Sequence, residues 1–221
     1  MADFHARLTQ IMFDPLSYIH SQRMKLPRLL DTPYQRGVIN QMLIHQYGLT
    51  ESKSAVCTGG GASGGSSVVT ISAVERQLIL NWRLLPYICT LIGAQLLKRD
   101  LGWRGELLRL SAPVRFFMML SLRDCASRKN DEKKLSSDVQ WVGLMHVLEW
   151  QRHASNGLKI RLALLFPPIF DELFSTYCEP DFNTAKVQLP SLSLKPNPTS
   201  PTDLFLISQA IQYAKNNPDN L

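Results

Sequence analysis

The chain has 221 residues, of which 45% are hydrophobic and 19% are charged, and its formal net charge is +6. This composition predicts a folded protein of one domain and excludes a globally disordered chain, while no apolar run reaches the roughly 20 residues that span a bilayer. The four cysteines form no C-x-x-C pair, which excludes a zinc ribbon and a thioredoxin-like motif, and the N-terminus lacks a signal-peptide core, so we expect a cytoplasmic protein.

The first predicted elements are two short helices separated by an aspartate–proline pair. Residues 3–12 favour a helix, and a second helix should begin at Pro15, whose missing N–H costs nothing at a first helical position. Asp14 is a suitable N-cap for that second helix. The stretch therefore predicts a structural clasp and not a catalytic loop, with three side chains that dock it on the core and a histidine that follows them: Phe13, Tyr18, Ile19 and His20.

A helix and a glycine-rich segment come next. The segment from Tyr34 to Tyr47 favours a helix whose apolar positions recur at helical spacing: Val38, Met42, Leu43 and Tyr47. Residues 50–71 are rich in glycine and serine, a composition that is typical of a flexible loop.

The central part of the chain predicts a series of apolar helices. A helical pattern runs from about Ser72 to Leu110, with Trp82 and Leu85 at apolar positions and a break at Pro86. Pro113 then starts a helix that is apolar nearly all round, so we expect this helix to be buried.

The C-terminal part predicts further helices and a second long connection. Residues 138–153 and 158–177 have helical patterns, and a Pro-Pro pair interrupts the second of them. Residues 179–201 contain five prolines and predict an extended connector, and residues 202–215 predict a last helix. We therefore predict an all-α fold, in which residues 1–221 form a single irregular multi-helix domain with two long flexible loops.

No arrangement of residues in the sequence predicts an enzyme. The glycine-rich loop ends without the lysine that a phosphate-binding loop requires, and Ser63 within it lacks the strand-to-helix context of a catalytic serine. His146 and His153 are two helical turns apart, roughly 10 Å, which is too far to bind one metal together. With Glu149 between them they favour a polar helix face. His20 has no nucleophile or carboxylate partner in the sequence, so we predict no catalytic, cofactor-binding or metal-binding residues.

Charge is unevenly distributed along the chain. Basic residues outnumber acidic ones between Arg76 and Arg161, and acidic residues outnumber basic ones from Leu162 onward. A basic segment can meet an acidic protein, a membrane surface or nucleic acid, and a set of solvated helix faces is an equally open interpretation. The basic residues between Arg123 and Lys134 are predicted to lie in a loop, and the acidic Asp124, Asp131 and Glu132 interrupt them, which disfavours nucleic-acid binding. The candidate partner-binding residues are Arg104, Arg109, Arg115, Arg123, Lys133 and Lys134.

Five short blocks, in order along the chain, resemble the OrgA/MxiK (SctK) family, the accessory proteins of the type III secretion sorting platform. They are residues 11–20, 81–94, 99–110, 164–168 and 210–215. The glycine-rich loop, the proline-rich connector and Ser21, where relatives often carry proline, depart from the family pattern. The residues that carry the resemblance are Phe13, Asp14, Pro15, Tyr18, Ile19, His20, Trp82, Leu85, Pro86, Phe166, Pro167, Pro168 and Tyr213.

The resemblance implies a mainly helical adaptor without catalytic activity or cofactor. Members of this family cap the cytosolic pods of the sorting platform and connect the main scaffold protein of the pod to the cytosolic domain of the inner-membrane ring. The chain would then lie at the cytosolic face of the inner membrane, held there by proteins, and secretion would need it. A basic helical nucleic-acid-binding regulator is the alternative. A secretion chaperone fits less well, because such chaperones are typically smaller, acidic and α/β.

Overall fold

The computed structural model describes residues 2–24, 32–49, 73–103, 105–120, 135–150, 156–178 and 201–217. In these residues the chain forms ten α-helices, four 3-10 helices and no β-strand, which confirms the predicted all-α class. The predicted flexible loop at 50–71 and the proline-rich connector at 179–201 lie outside the described residues, except for Pro201, which begins the last helix. None of the described helices is long and apolar enough to cross a membrane.

The α-helices are α1 (Ala2–Phe13), α2 (Pro33–Gln46), α3 (Ala73–Leu80), α4 (Leu85–Leu96), α5 (Lys98–Trp103), α6 (Ala112–Met119), α7 (Leu135–Trp150), α8 (Asn156–Ala163), α9 (Asp171–Cys178) and α10 (Pro201–Asn216). The 3-10 helices are η1 (Pro15–Ser17), η2 (Trp82–Leu84), η3 (Glu106–Arg109) and η4 (Pro168–Phe170). Proline occupies the first residue of α2, η1, η4 and α10, where its missing N–H removes no helical hydrogen bond.

The chain divides into two compact units. Unit 1 comprises Met1–Trp82 and His153–Phe182, and unit 2 comprises Arg83–Arg152 and Asn183–Leu221. Among the described helices, α1–α3, α8 and α9 belong to unit 1, and α4–α7 and α10 belong to unit 2. That residues 1–221 act as one domain stays a prediction.

In unit 1, α1 packs against α3, and η1 packs against α2. One face of α1 is buried through Leu8, Ile11 and Met12, and α3 buries Leu78 and Ile79. The buried positions of α1 recur at three- and four-residue spacing, so this helix hides one stripe from water. Helices α8 and α9 contact each other within the same unit.

Unit 2 is organised around α4, which packs most closely against α7 and also contacts α6 and α10. Gly93 and Gly143 make the crossing of α4 and α7 close: a Cβ atom on Gly93 would lie 1.7 Å from the carbonyl oxygen of Val139. A Cβ atom on Gly143 would lie 1.7 Å from the carbonyl oxygen of Cys89. Since carbonyl groups of helix backbones cannot rotate away, the crossing requires glycine at both positions.

The sequence predicts the correct helix at α2, but two of the four apolar positions that mark its pattern do not face the core. Val38 and Met42 are exposed, and the inward face carries Ile39, Asn40, Leu43 and Ile44. The apolar residues of α2 lie on two sides of the helix, so their spacing alone does not decide which side faces the core. Asn40 lies inward because its side chain has hydrogen-bond partners there.

Helix α6 is also less buried than its composition predicts. Its inward residues are Val114, Phe117 and Met118, whereas Phe116 and Met119 point to solvent. The prediction of a fully buried α6 is therefore wrong. The helix has only eight residues and lies against α4 on one side, so its opposite side remains outside the core.

Candidate partner-binding surfaces

The clasp at residues 13–20 is fixed mainly by Tyr18. Its side chain is buried, its hydroxyl donates a hydrogen bond to the carbonyl oxygen of Ile11 at 2.9 Å, and its ring meets Trp82 edge-on with 5.8 Å between centroids. Burial raises the pKa of Tyr18 above its ordinary value of 10. Pro15 is buried and Ile19 is half-buried. Phe13, however, is 45% exposed, so the prediction that its ring docks the clasp on the core is wrong.

Asp14 links the clasp to α2 and does not cap a helix. It occupies the N-cap position of η1, but its side chain makes no capping hydrogen bond. Its Oδ1 instead accepts a hydrogen bond from Asn40 Nδ2 at 2.7 Å, and its Oδ2 lies 3.6 Å from Arg36. The backbone N–H of Leu16 donates to Asn40 Oδ1 at 2.9 Å. Asp14 and Asn40 therefore join the clasp to α2.

The last residue of the clasp, His20, and Arg23 shortly after it form hydrogen bonds with a second motif block that is far away in sequence. The N–H of His20 donates to the carbonyl oxygen of Leu164 at 2.8 Å, and Arg23 Nε donates to the carbonyl oxygen of Phe166 at 2.6 Å. The Arg23 guanidinium also pairs with Asp171. Burial, together with the charge of Arg23, lowers the pKa of His20. The structure thus brings together the blocks at 11–20 and 164–168, where Phe166 is buried, Pro167 is half-buried and Pro168 is exposed.

Arg161 is the structurally important residue in unit 1 that sequence reasoning missed. Its side chain is buried, and its guanidinium donates to the carbonyl oxygens of Leu49 at 2.8 Å, Gly157 at 3.0 Å and Met12 at 3.4 Å. Burial lowers the pKa of Arg161. The guanidinium therefore links the end of α1, the segment after α2 and α8. The available signal was a basic residue between Ile160 and Leu162, but Lys159 on the same helix is also basic, so the signal did not single out Arg161.

The residues of unit 2 that carry the family resemblance also stabilise the packing of its helices. The hydroxyl of Tyr213 donates to the carbonyl oxygen of Pro113 at 2.8 Å, which ties α10 to the start of α6. Leu85 is buried, and the carbonyl oxygen of Pro86 accepts a hydrogen bond from Gln140 at 3.2 Å, which links α4 to α7.

His146 is buried on α7 and does not lie on a polar helix face, contrary to the sequence-based interpretation. Its Nε2 lies 3.9 Å from Oδ1 of Asp203, which is also buried and belongs to α10. Sequence spacing could not show this neighbour, because it lies 57 positions away along the chain. His153 lies outside the described residues, and within the described part of the chain no group of three or more His, Cys, Asp or Glu side chains could hold a metal ion.

Helix α2 of unit 1 and helix α6 of unit 2 each carry more than one exposed apolar side chain, as does α10, where Leu204 and Phe205 are 43% and 50% exposed. The α2 face, which we define by Tyr34, Val38 and Met42, is 82%, 44% and 64% exposed at these residues. Single exposed apolar residues are common on proteins, but several on one helix side mark an interaction surface. The second such surface, which we call the α6 patch, lies at the C-terminal end of α6 and consists of Phe116, Met119 and Leu120.

The basic candidates are only partly within the described residues. Arg115 is half-buried on α6, directly before Phe116 of the α6 patch. Arg109 on η3 is exposed and pairs with Glu106 at 3.2 Å, a contact between surface side chains that adds little stability. The other four candidates lie outside the described residues: Arg104, Arg123, Lys133 and Lys134.

Comparison with known proteins identifies the family. The profile of the family described as "Bacterial type III secretion apparatus protein (OrgA_MxiK)" matches residues 8–216. The oxygen-regulated invasion protein OrgA of Salmonella typhimurium (strain LT2) is 28% identical over 168 residues, which cover 74% of this chain and 75% of OrgA. Protein MxiK of Shigella flexneri is 27% identical over 170 residues, which cover 76% of this chain and 78% of MxiK. No solved structure gives a significant match. Since the profile covers nearly the whole chain, the protein belongs to the OrgA/MxiK family of bacterial type III secretion apparatus proteins.

Proposed function

We propose that the protein is a non-enzymatic adaptor that links the pod scaffold of the type III secretion sorting platform to the cytosolic domain of the inner-membrane ring. One observation carries the proposal: each of the two compact units presents its own exposed apolar helix surface. An adaptor needs two binding surfaces, and the α2 face in unit 1 and the α6 patch in unit 2 supply them. Membership of the family supports a role in secretion.

Both surfaces combine an aromatic ring with a methionine, but they differ in charge. Arg115 adjoins the α6 patch, whereas the outward side of α2 carries no charged residue, so the two surfaces suit different partners. The α6 patch combines an aromatic ring and a methionine with Arg115, and aromatic, methionine and arginine side chains are enriched at protein interfaces. An acidic rim on the partner would complement Arg115 and Arg109. The α2 face has apolar residues at four-residue spacing, which suits contact with another helix.

This function places the protein in the cytoplasm, at the cytosolic face of the inner membrane. Protein contacts hold it there, because the proposed adaptor binds the ring through its cytosolic domain. Loss of either contact would leave the pod detached from the ring, so secretion would fail even where the protein folds normally.

Binding of the purified full chain to the pod scaffold and to the ring domain, measured separately and then together, tests the proposal. The adaptor function predicts that each partner binds alone and that both bind one molecule at the same time. Competition between the two partners for a single site, or binding to only one of them, would overturn it. Duplex DNA serves as the third probe. If the protein binds DNA with higher affinity than it binds either protein, and this binding weakens as salt is added, the alternative function as a nucleic-acid-binding regulator is favoured.

A further inference from the structure

Helix α2 has an outward side without any charged residue. A capping box at Thr32 and Gln35 fixes its start. The outward positions that are exposed and lie on one side carry no Asp, Glu, Lys or Arg: Tyr34, Gly37, Val38, Gln41, Met42 and His45. This side includes the whole α2 face.

Gly37 lies on that side, about one turn after Tyr34, and has no packing role among the described residues. It is exposed and helical, and a Cβ atom added there would meet nothing within 4 Å. Glycine destabilises a helix interior relative to alanine, because it loses more conformational freedom on folding. The internal glycines Gly93 and Gly143 show what this chain gains from glycine in a helix, namely backbone contact with another helix. By the same physics, Gly37 lets a helix from outside approach the backbone of α2.

The size and charge of this side favour a single helix over a second copy of the chain. Fourteen residues make a helix of roughly 21 Å, so the outward side spans about three turns. One face of that length offers much less than the about 800 Å² per partner of a standard interface between globular proteins. Two copies would also each bring a net charge of +6, which disfavours their association.

The same chemistry disfavours a membrane surface as the occupant. Helices that lie on membranes usually carry Lys and Arg beside their apolar face, where they meet anionic headgroups. The one charged residue of α2 is Arg36, and its guanidinium lies 3.6 Å from the Asp14 carboxylate. The uncharged side of α2 instead complements another uncharged apolar stripe.

We propose that the outward side of α2 binds one amphipathic helix of another type III secretion apparatus protein, packed across Gly37 between Tyr34 and Met42. This inference rests on the proposed adaptor function and assigns one of its two surfaces. The partner helix would present apolar residues at three- and four-residue spacing, without charge on its contacting stripe.

Substitution of Gly37 tests the proposal, because binding and folding should respond in opposite directions. Gly37→Ala should raise the Tm of the isolated protein by about 2–4 °C and weaken the binding of one partner, the pod scaffold or the ring domain. Gly37→Leu should abolish binding of that partner and leave the other unchanged. Gly102→Ala on α5 is the matched control, because Gly102 is also exposed, helical and without neighbours within 4 Å, and this variant should bind both partners normally.

The possible outcomes separate this inference from the proposed function. If the wild type binds both partners and Gly37→Leu binds both equally well, the α2 assignment is wrong and the adaptor function stands. If the wild type binds neither partner, the adaptor function itself fails. Two further results would also overturn the assignment. The first is that the wild type forms a dimer and that Gly37→Leu dissociates it. The second is that the wild type floats with anionic vesicles and that Tyr34→Asp abolishes this flotation.

Discussion

Gly93 on α4 and Gly143 on α7 face each other across the closest helix crossing in the described part of unit 2. A Cβ atom on either residue would lie 1.7 Å from a carbonyl oxygen of the opposite helix, which is far inside van der Waals distance. The backbones of two buried helices are therefore in direct contact. Any side chain at this crossing must push the helices apart and disturb the packing along both of them.

Alanine at this crossing is the first test. Gly93→Ala and Gly143→Ala should each lower the free energy of unfolding by about 3 kcal/mol, at the upper end of the usual cost of overpacking, because rigid backbone atoms must move. Urea unfolding measures the loss. Gly102→Ala is the matched control and should leave stability unchanged or slightly raised, since a Cβ atom there meets nothing within 4 Å. Equal stability of all three variants would show that α4 and α7 are not in backbone contact.

The second prediction concerns the buried guanidinium of Arg161. Arg161→Met keeps most of the side-chain length but leaves the carbonyl oxygens of Met12, Leu49 and Gly157 without this donor. We expect a loss of about 2–4 kcal/mol, since each unsatisfied buried acceptor costs about 1–3 kcal/mol and part of the loss is recovered by relaxation. Arg161→Lys should restore only part of it, because one ammonium cannot match the fork geometry of a guanidinium. Lys159→Met, a half-buried neighbour on the same helix, should cost clearly less.

The third prediction compares the two aromatic residues of the clasp. Tyr18→Ala should lower the free energy of unfolding by about 3–5 kcal/mol, because Tyr18 is buried and contacts Trp82. Phe13→Ala should cost less than about 1 kcal/mol, because the ring of Phe13 is 45% exposed. Urea unfolding followed by far-UV circular dichroism measures both. A larger loss at Phe13 than at Tyr18 would contradict the placement of these two rings.

The fourth prediction is a loss of stability at alkaline pH that depends on Tyr18. Its pKa is raised in the folded state, so the unfolded chain releases this proton first, near pH 10, while the folded chain keeps it. Tyr18 therefore contributes fully to stability below pH 10. Above that value the free energy of unfolding falls by up to about 1.4 kcal/mol per pH unit. Tyr18→Phe should reduce this slope between pH 10 and 11. An unchanged slope would show that Tyr18 does not control the alkaline transition.

The fifth prediction concerns the α6 patch as one of the two adaptor surfaces. Phe116→Ser and Arg115→Glu should each weaken the binding of one partner by at least about tenfold, spare the other partner and reduce secretion. The effect of Arg115→Glu should diminish at high salt, because added ions screen charge pairs. Ile169→Ser is the matched control, since Ile169 is an exposed apolar residue of unit 1, and it should bind both partners normally. Unchanged binding of both partners by both test variants would show that the patch is only a solvated surface.

The helices could be predicted from the sequence because each depends on local features. Proline at a first helical position and apolar residues at helical spacing place α2, η1 and α10 within one or two residues of their observed bounds. The choice of buried face at α2 and α6 could not be predicted in this way. It depends on which other segment lies nearby: the inward Asn40 has its hydrogen-bond partners at Asp14 and Leu16, which are 26 and 24 positions away.

The candidate surfaces were the hardest features to predict, because they are what remains after packing. Val38, Met42 and Phe116 look like core residues in the sequence, and only the arrangement of the neighbouring helices leaves them exposed. Charge pointed to Arg109 and Arg115, but the sequence could not show that Phe116, the neighbour of Arg115, is exposed. Buried polar residues such as Arg161 and His146 likewise require partners from other parts of the chain.

The contact between the clasp and the segment around Phe166 has a consequence for synthesis of the protein on the ribosome. Arg23 and Phe166 are 143 positions apart, so α1 and the clasp emerge long before the residues that complete their packing. At about 5–20 residues per second, this delay is on the order of ten seconds. During that time the end of α1 lacks its hydrogen bond from Arg161, and the clasp lacks its hydrogen bond to Leu164, so this part of the chain is open to chaperones. A nascent chain that stops before α8 would leave unit 1 permanently incomplete, which makes translation past this point a condition for a stable N-terminus.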